Sequence, residues 1–158
     1  MFQKTKYKQE IRKILAIQFK YLGDAVFITP ALETLHHKYP NAEIHVLVAQ
    51  EVAPVLSHLS YLKKVWGLPR SRSKTKLLET LPFVNRLRKE RFDLSIDFAG
   101  NDRGAALSLL IGAKDRVGAV DPKPNFLKRI AYTRRVGAEQ LPEVWVPRHL
   151  KMLSILLY

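Results

Sequence analysis

Four consecutive apolar residues, Ile14 to Ile17, open the hydrophobic pattern of this chain. A run without polar alternation is what a strand covered on both faces of a parallel sheet requires. From Ala25 to Tyr39 the spacing changes, and Ile28, Leu32, Leu35 and Tyr39 fall on one helical stripe that Pro40 and Asn41 end. Pro30 lies inside that stretch and lacks a backbone donor. The helix is therefore either kinked there or restarted with Thr29 as N-cap and Pro30 at the first position. Glu43 to Ala49 sets Ile44, Val46 and Val48 against polar or smaller partners, a second strand. Glu51 to Leu62 predicts a short helix with Val52, Val55, Leu56 and Leu59 inward, and Lys64 to Leu68 a third, edge-like strand.

Pro69 to Lys76 is polar, basic and unpatterned, a surface loop. Leu77 to Arg91 predicts a helix interrupted or begun at Pro82, with a basic face of Arg86, Arg88 and Lys89. Phe92 to Phe98 alternates as a fourth strand. Ala99 to Asp102 is the turn after it, Arg103 to Ile111 a helix, and Asp115 to Val120 a fifth strand. Residues 125–136 carry little pattern, and Pro147 opens a last helix in which Leu150, Leu153 and Leu157 recur at helical spacing.

Strands alternating with helices predict an α/β fold, a Rossmann-like doubly wound parallel sheet of order 3-2-1-4-5. The first and fourth strands then flank the switch point, so the turn at Leu22, Gly23 and Asp24 and the turn at Ala99, Gly100 and Asn101 line one crevice at the carboxyl ends of the strands. Gly23 supplies a tight turn and delivers Asp24 to the start of a helix. Asp24 either caps that helix or acts on a ligand. Asp97, at the end of a strand, either bonds the turn that follows or faces the crevice.

The chain has 158 residues, 47% of them apolar, enough for one domain with a real core. It has no cysteine, which excludes disulfides, thiolate metal sites and cysteine nucleophiles. The apolar runs are too short for a membrane span or a signal peptide, so the expected location is the cytoplasm. A formal charge of +13, from 27 basic against 14 acidic residues, favours phosphorylated partners or an anionic membrane face, beside the plain reading of a solvated basic surface.

The crevice lacks several familiar chemistries. G-x-G-x-x-G and G-x-x-x-x-G-K-[ST] are both absent, and Asp24 would repel a phosphate at that helix end, so no nucleotide or flavin cofactor is expected. The histidines (His36, His37, His45, His58, His149) form no i, i+4 pair or ligand cluster, read as surface or strand-face residues, and predict no metal. No Gly-x-Ser-x-Gly elbow occurs.

Taken together, Lys13 to Ile17, Phe19 to Asp24, Thr29 to Leu32, His37 to Val48, Tyr61 to Pro69, Phe92 to Asn101 and Gly112 to Gly118 carry a resemblance. In order and spacing they resemble the N-terminal half of the bacterial lipopolysaccharide heptosyltransferases, the ADP-heptose-using glycosyltransferase family nine. Phe19, Lys20, Tyr21 and Leu22 stand where many members place small polar residues. The resemblance implies a GT-B enzyme, with residues 1–158 as a single acceptor-binding domain and the ADP-heptose site on a C-terminal domain that this sequence does not include. It carries a general-base role over to Asp24. It implies a phosphorylated lipopolysaccharide inner core as acceptor, contacted by Lys20, Gly23, Gly100, Asn101 and Arg103 at the crevice and by Arg70 and Arg72 of the basic loop, and peripheral contact with an anionic inner membrane. The charge alone would point to a nucleic-acid-binding module, but no ribonucleoprotein motif, helix-turn-helix signature or aromatic-basic interleaving supports one. A non-catalytic Rossmann-like interaction domain is the other alternative.

Overall fold

A computed structural model describes residues 10–18, 21–69 and 77–157. Its centre is a six-stranded parallel sheet of order β3-β2-β1-β4-β5-β6. The strands are β1 (Lys13–Ile17), β2 (Glu43–Ala49), β3 (Leu62–Leu68), β4 (Leu94–Asp97), β5 (Asp115–Val120) and β6 (Arg134–Gly137). The helices are α1 (Leu22–Phe27), α2 (Thr29–Lys38), α3 (Ala53–Leu56), α4 (Leu77–Lys89), α5 (Asp102–Ile111), α6 (Phe126–Ala131) and α7 (Trp145–Leu153).

The unbroken apolar run of β1 has the predicted consequence. Ile14, Leu15, Ala16 and Ile17 are all fully buried, and successive residues serve opposite faces of the sheet. Ile14 and Ala16 join the core beneath α1, α2 and α7, with Ile28, Leu32, Leu35, Met152 and Leu153. Leu15 and Ile17 join the core beneath α4 and α5, with Val84, Leu87, Leu107 and Ile111. Because β1 pairs with β2 on one side and β4 on the other, the switch point lies between β1 and β4.

Several boundaries differ from the pattern. The stripe from Ala25 to Tyr39 is two helices broken at Ile28, and Ile28, not Thr29, holds the cap position of α2. Pro30 then sits in the first turn, where a missing N–H costs little, and the Thr29 hydroxyl donates to the Val26 carbonyl at 2.8 Å. The helix expected over Glu51 to Leu62 shrinks to α3, and β3 starts two residues earlier than expected, at Leu62. Pro82 lies inside a continuous α4. The weakly patterned residues 125–136 fold as α6 and most of β6, which adds a sixth strand at the edge.

At the amino end of the sheet, His45 of β2 is buried against Trp66 of β3 and Phe92. Trp66 Nε1–H donates to His45 Nδ1 at 3.1 Å. An indole nitrogen can only donate, so Nδ1 keeps its lone pair and the imidazole proton sits on Nε2, 3.6 Å from Glu43 Oε2. Burial holds the imidazole pKa below its ordinary value against the opposing influence of Glu43 and Glu90, and the Lys13 ammonium adds to the lowering. The unfolded chain therefore takes up the proton first. His45 contributes its full stability above its unfolded pKa of about 6.5 and loses it as pH falls through the window below that value. Thermal unfolding followed from pH 7 to 5 is expected to show a falling midpoint whose slope is shallower in His45→Gln, where an amide oxygen can still accept from Trp66.

Candidate functional site

The crevice at the switch point is built from the carboxyl ends of β1 and β4. On the β1 side, Asp24 is the third residue of α1 and is 8% exposed. Its Oδ2 accepts the backbone N–H of Tyr21, the cap residue, at 3.2 Å. Asp24 is thus one turn inside the helix and reaches back to the cap, which differs from the expected place at the helix start. Among the described residues its Oδ1 has no hydrogen-bond partner. Gly23, expected to make the tight turn, is the second residue of α1 and has no positive φ.

On the β4 side, Asp97 is fully buried and bonds its own turn. Its Oδ1 accepts the N–H groups of Ala99 (2.9 Å) and Gly100 (3.3 Å), while Tyr132 Oη–H donates to Oδ2 at 2.6 Å. Burial and the Asp97 carboxylate push the Tyr132 phenol well above its ordinary pKa, so it remains a donor. Gly100 has φ +66°, and a Cβ built there would meet nothing within 4 Å among the described residues. The positive φ calls for glycine, and the space beside it is open. Asn101 caps α5, its Oδ1 accepting the Gly104 N–H at 2.9 Å, so one of its polar atoms is engaged by the fold. Arg103 is exposed in the first turn of α5.

Four residues that the pattern left unremarked, or misplaced, support these walls. Gln18, 1% exposed at the end of β1, donates through Nε2 to the Phe98 carbonyl at 3.4 Å and so ties the two turns together. His149 of α7 is buried, with Nδ1 3.2 Å from the Phe27 carbonyl and its ring edge-on to Phe98. It is neither a surface nor a strand-face residue, a correction to the sequence reading. Tyr132 and Lys128 come from α6 and its end. Their only trace in the sequence is indirect: Gly118 leaves room for the Tyr132 ring and Gly104 for the Asp97 carboxylate.

Lys20, Arg70 and Arg72 lie outside the described residues. Asp24, Gly23, Gly100, Asn101 and Arg103 all stand at the crevice turns or on the first turn of the helices that follow them. Among the described residues no group of histidines and carboxylates is arranged to hold a metal ion, and no helix is long and apolar enough to cross a membrane.

No protein-family model matches the chain. Lipopolysaccharide heptosyltransferase 3 of Escherichia coli is 26% identical over 100 residues, and its counterpart in strain K12 is 28% identical over 100 residues. Over these residues the chain is homologous to E. coli lipopolysaccharide heptosyltransferase 3. The alignment covers 62% of this chain and 29% of each relative, so the chain spans under a third of their length in the match. Solved structures agree on the fold. The family 9 glycosyl transferase of Veillonella parvula DSM 2008 superposes with a TM-score of 0.79 at 18% identity, over 92% of this chain and 41% of that one. E. coli heptosyltransferase WaaC with ADP-2-deoxy-2-fluoro heptose gives 0.75 at 18% identity, over 90% and 47%. The six-stranded, Rossmann-like parallel sheet seen here matches the fold of these GT-B glycosyltransferase structures.

Proposed function

We propose that this chain is the acceptor-binding domain of a glycosyltransferase that moves a heptose from ADP-heptose to a phosphorylated lipopolysaccharide inner core, with Asp24 as general base. The observation that carries the reading is the Asp24 carboxylate: buried at the switch point, held by one oxygen to the Tyr21 N–H, with the other oxygen without a hydrogen-bond partner among the described residues and the open face of Gly100 among the turns of the same crevice. A ligand in an open α/β sheet binds at this place. The names of the relatives supply the substrate class, and the WaaC structure was solved with an ADP-heptose analogue.

In this reading the acceptor hydroxyl lies within hydrogen-bond reach of the Asp24 carboxylate, which takes its proton as the oxygen attacks the anomeric carbon and ADP departs with the bonding electrons. ADP-heptose itself is held by a donor domain outside this sequence. Asp24 at the head of α1 disfavours a pyrophosphate there. Arg103 and the basic positions Lys20, Arg70 and Arg72 contact the acceptor's phosphates and carboxylates. The net charge of +13 favours peripheral contact with an anionic membrane face, and the reading places the enzyme on the cytoplasmic side.

Calorimetric titration at one fixed ionic strength tests this. Phosphorylated inner-core oligosaccharide is expected to bind the chain more tightly than a length-matched nucleic acid, and ADP to show no saturable binding in the micromolar range. Tighter, sequence-selective nucleic-acid binding would remove the glycosyltransferase reading, and micromolar ADP binding would reverse the assignment of domains.

A further inference from the structure

We propose that α6 and the residue that ends it are the buttress of the crevice: Lys128 of α6 and Tyr132, just past Ala131, are positioning residues that hold the β4–α5 turn in the shape that presents Gly100 to the ligand. Tyr132 leaves the helix in extended backbone, and both residues reach the same turn. Tyr132 reaches it from below through its 2.6 Å bond to Asp97, whose other oxygen accepts the Ala99 and Gly100 N–H groups. Lys128 reaches it from the side, its Nζ 3.3 Å from the Gly100 carbonyl. The N–H of Gly100, through Asp97, and its C=O are thus held by two anchors, one in α6 and one at its end.

The burial of Lys128 makes this contact more than a surface pairing. Lys128 is 9% exposed, and a buried ammonium requires acceptors. Its second partner, Asp121 at 3.3 Å, has a side chain 66% exposed, so water weakens that attraction. The Gly100 carbonyl is the inward acceptor. The fold also fixes α6 in place. Asn125 caps it by accepting the Lys128 N–H and donates to Asp102 at the start of α5, each at 2.9 Å, while Ala131 and Tyr132 pack on Ala105. Gly118 has no side chain where one would strike the Tyr132 ring. The turn's own bonds run through Asp97, and among the described residues nothing packs where a Gly100 side chain would stand, so the anchors on Asp97 and on the Gly100 carbonyl reinforce its shape.

The identity of the ligand rests on the proposed function, and the test separates the two. Lys128→Met keeps the aliphatic stem, Lys128→Arg keeps the donor, and Tyr132→Phe keeps the ring against Gly118. Amide hydrogen exchange of Ala99 and Gly100 in the chain is expected to quicken about tenfold in Lys128→Met and Tyr132→Phe, the scale of one lost hydrogen bond to a charged group. Lys128→Arg is expected to restore it, with β1 amides unchanged throughout. Affinity for phosphorylated inner-core oligosaccharide is expected to fall in the two slackened variants and recover in Lys128→Arg. Unchanged exchange at Ala99 and Gly100, failure of Lys128→Arg to rescue, or quickened exchange with unchanged affinity would each overturn the positioning role. If the wild-type chain binds no oligosaccharide, the acceptor reading falls, and the exchange data alone decide whether α6 holds the turn.

Discussion

Asp24→Asn, made in a version of the protein that carries a donor domain, is expected to lose at least a hundredfold in heptose transfer with nearly unchanged thermal unfolding. Loss of general-base assistance costs roughly 10²- to 10⁴-fold. The structural role of Asp24 is to accept the Tyr21 N–H through one oxygen, and an asparagine carbonyl makes the same bond. Size and burial are also conserved. The substitution thus removes the proton acceptor while leaving the helix start intact. Transfer measured at saturating donor, together with an unfolding curve, checks both halves. Transfer within a few-fold of wild type would assign Asp24 to the helix alone and leave the proposed reaction without a base.

The second large effect concerns stability. In Gly118→Ala the new methyl group would lie far inside contact distance of Cε1 and Cζ of Tyr132. Forcing atoms into a packed site costs about 1–3 kcal/mol. The ring cannot escape cheaply, because swinging away breaks its bond to the fully buried Asp97, and leaving a buried polar group unsatisfied costs about 1–3 kcal/mol more. A combined loss of about 3–4 kcal/mol lowers the unfolding midpoint by roughly 10 °C in a domain of this size. Gly23→Ala is the control. Among the described residues its methyl would meet only the Phe27 ring, at 4.0 Å, and alanine favours a helix, so stability is expected to hold or rise slightly. Denaturant unfolding of both variants decides the comparison, and equal midpoints would show that the Tyr132 ring yields without loss.

Much of this molecule was legible in the order of its residues. The apolar run at Ile14 to Ile17, the alternation at Glu43 to Ala49 and the helical stripes between strands are local signals, and each predicted its element because burial on two faces, on one face or along one stripe demands a different period. Those elements in that order determined a parallel doubly wound sheet, and the sheet placed Asp24 and Gly100 at the switch point. The homology to heptosyltransferases was likewise written in the spacing of these segments. Only the tertiary structure decided what surrounds the site. Residues 125–136 have little period because α6 and β6 are short and lie at the sheet edge, where few positions are buried. The roles of Lys128, Tyr132 and Gln18 arise from partners 28, 35 and 80 residues away in the chain. Hydrogen bonds between such distant groups leave no periodic mark, since they depend on how layers meet and not on which residues are neighbours in sequence. Asp97 shows both sides: its bonds to Ala99 and Gly100 are local and readable from the turn, whereas its bond to Tyr132 exists only once β5 and α6 have folded back beside β4.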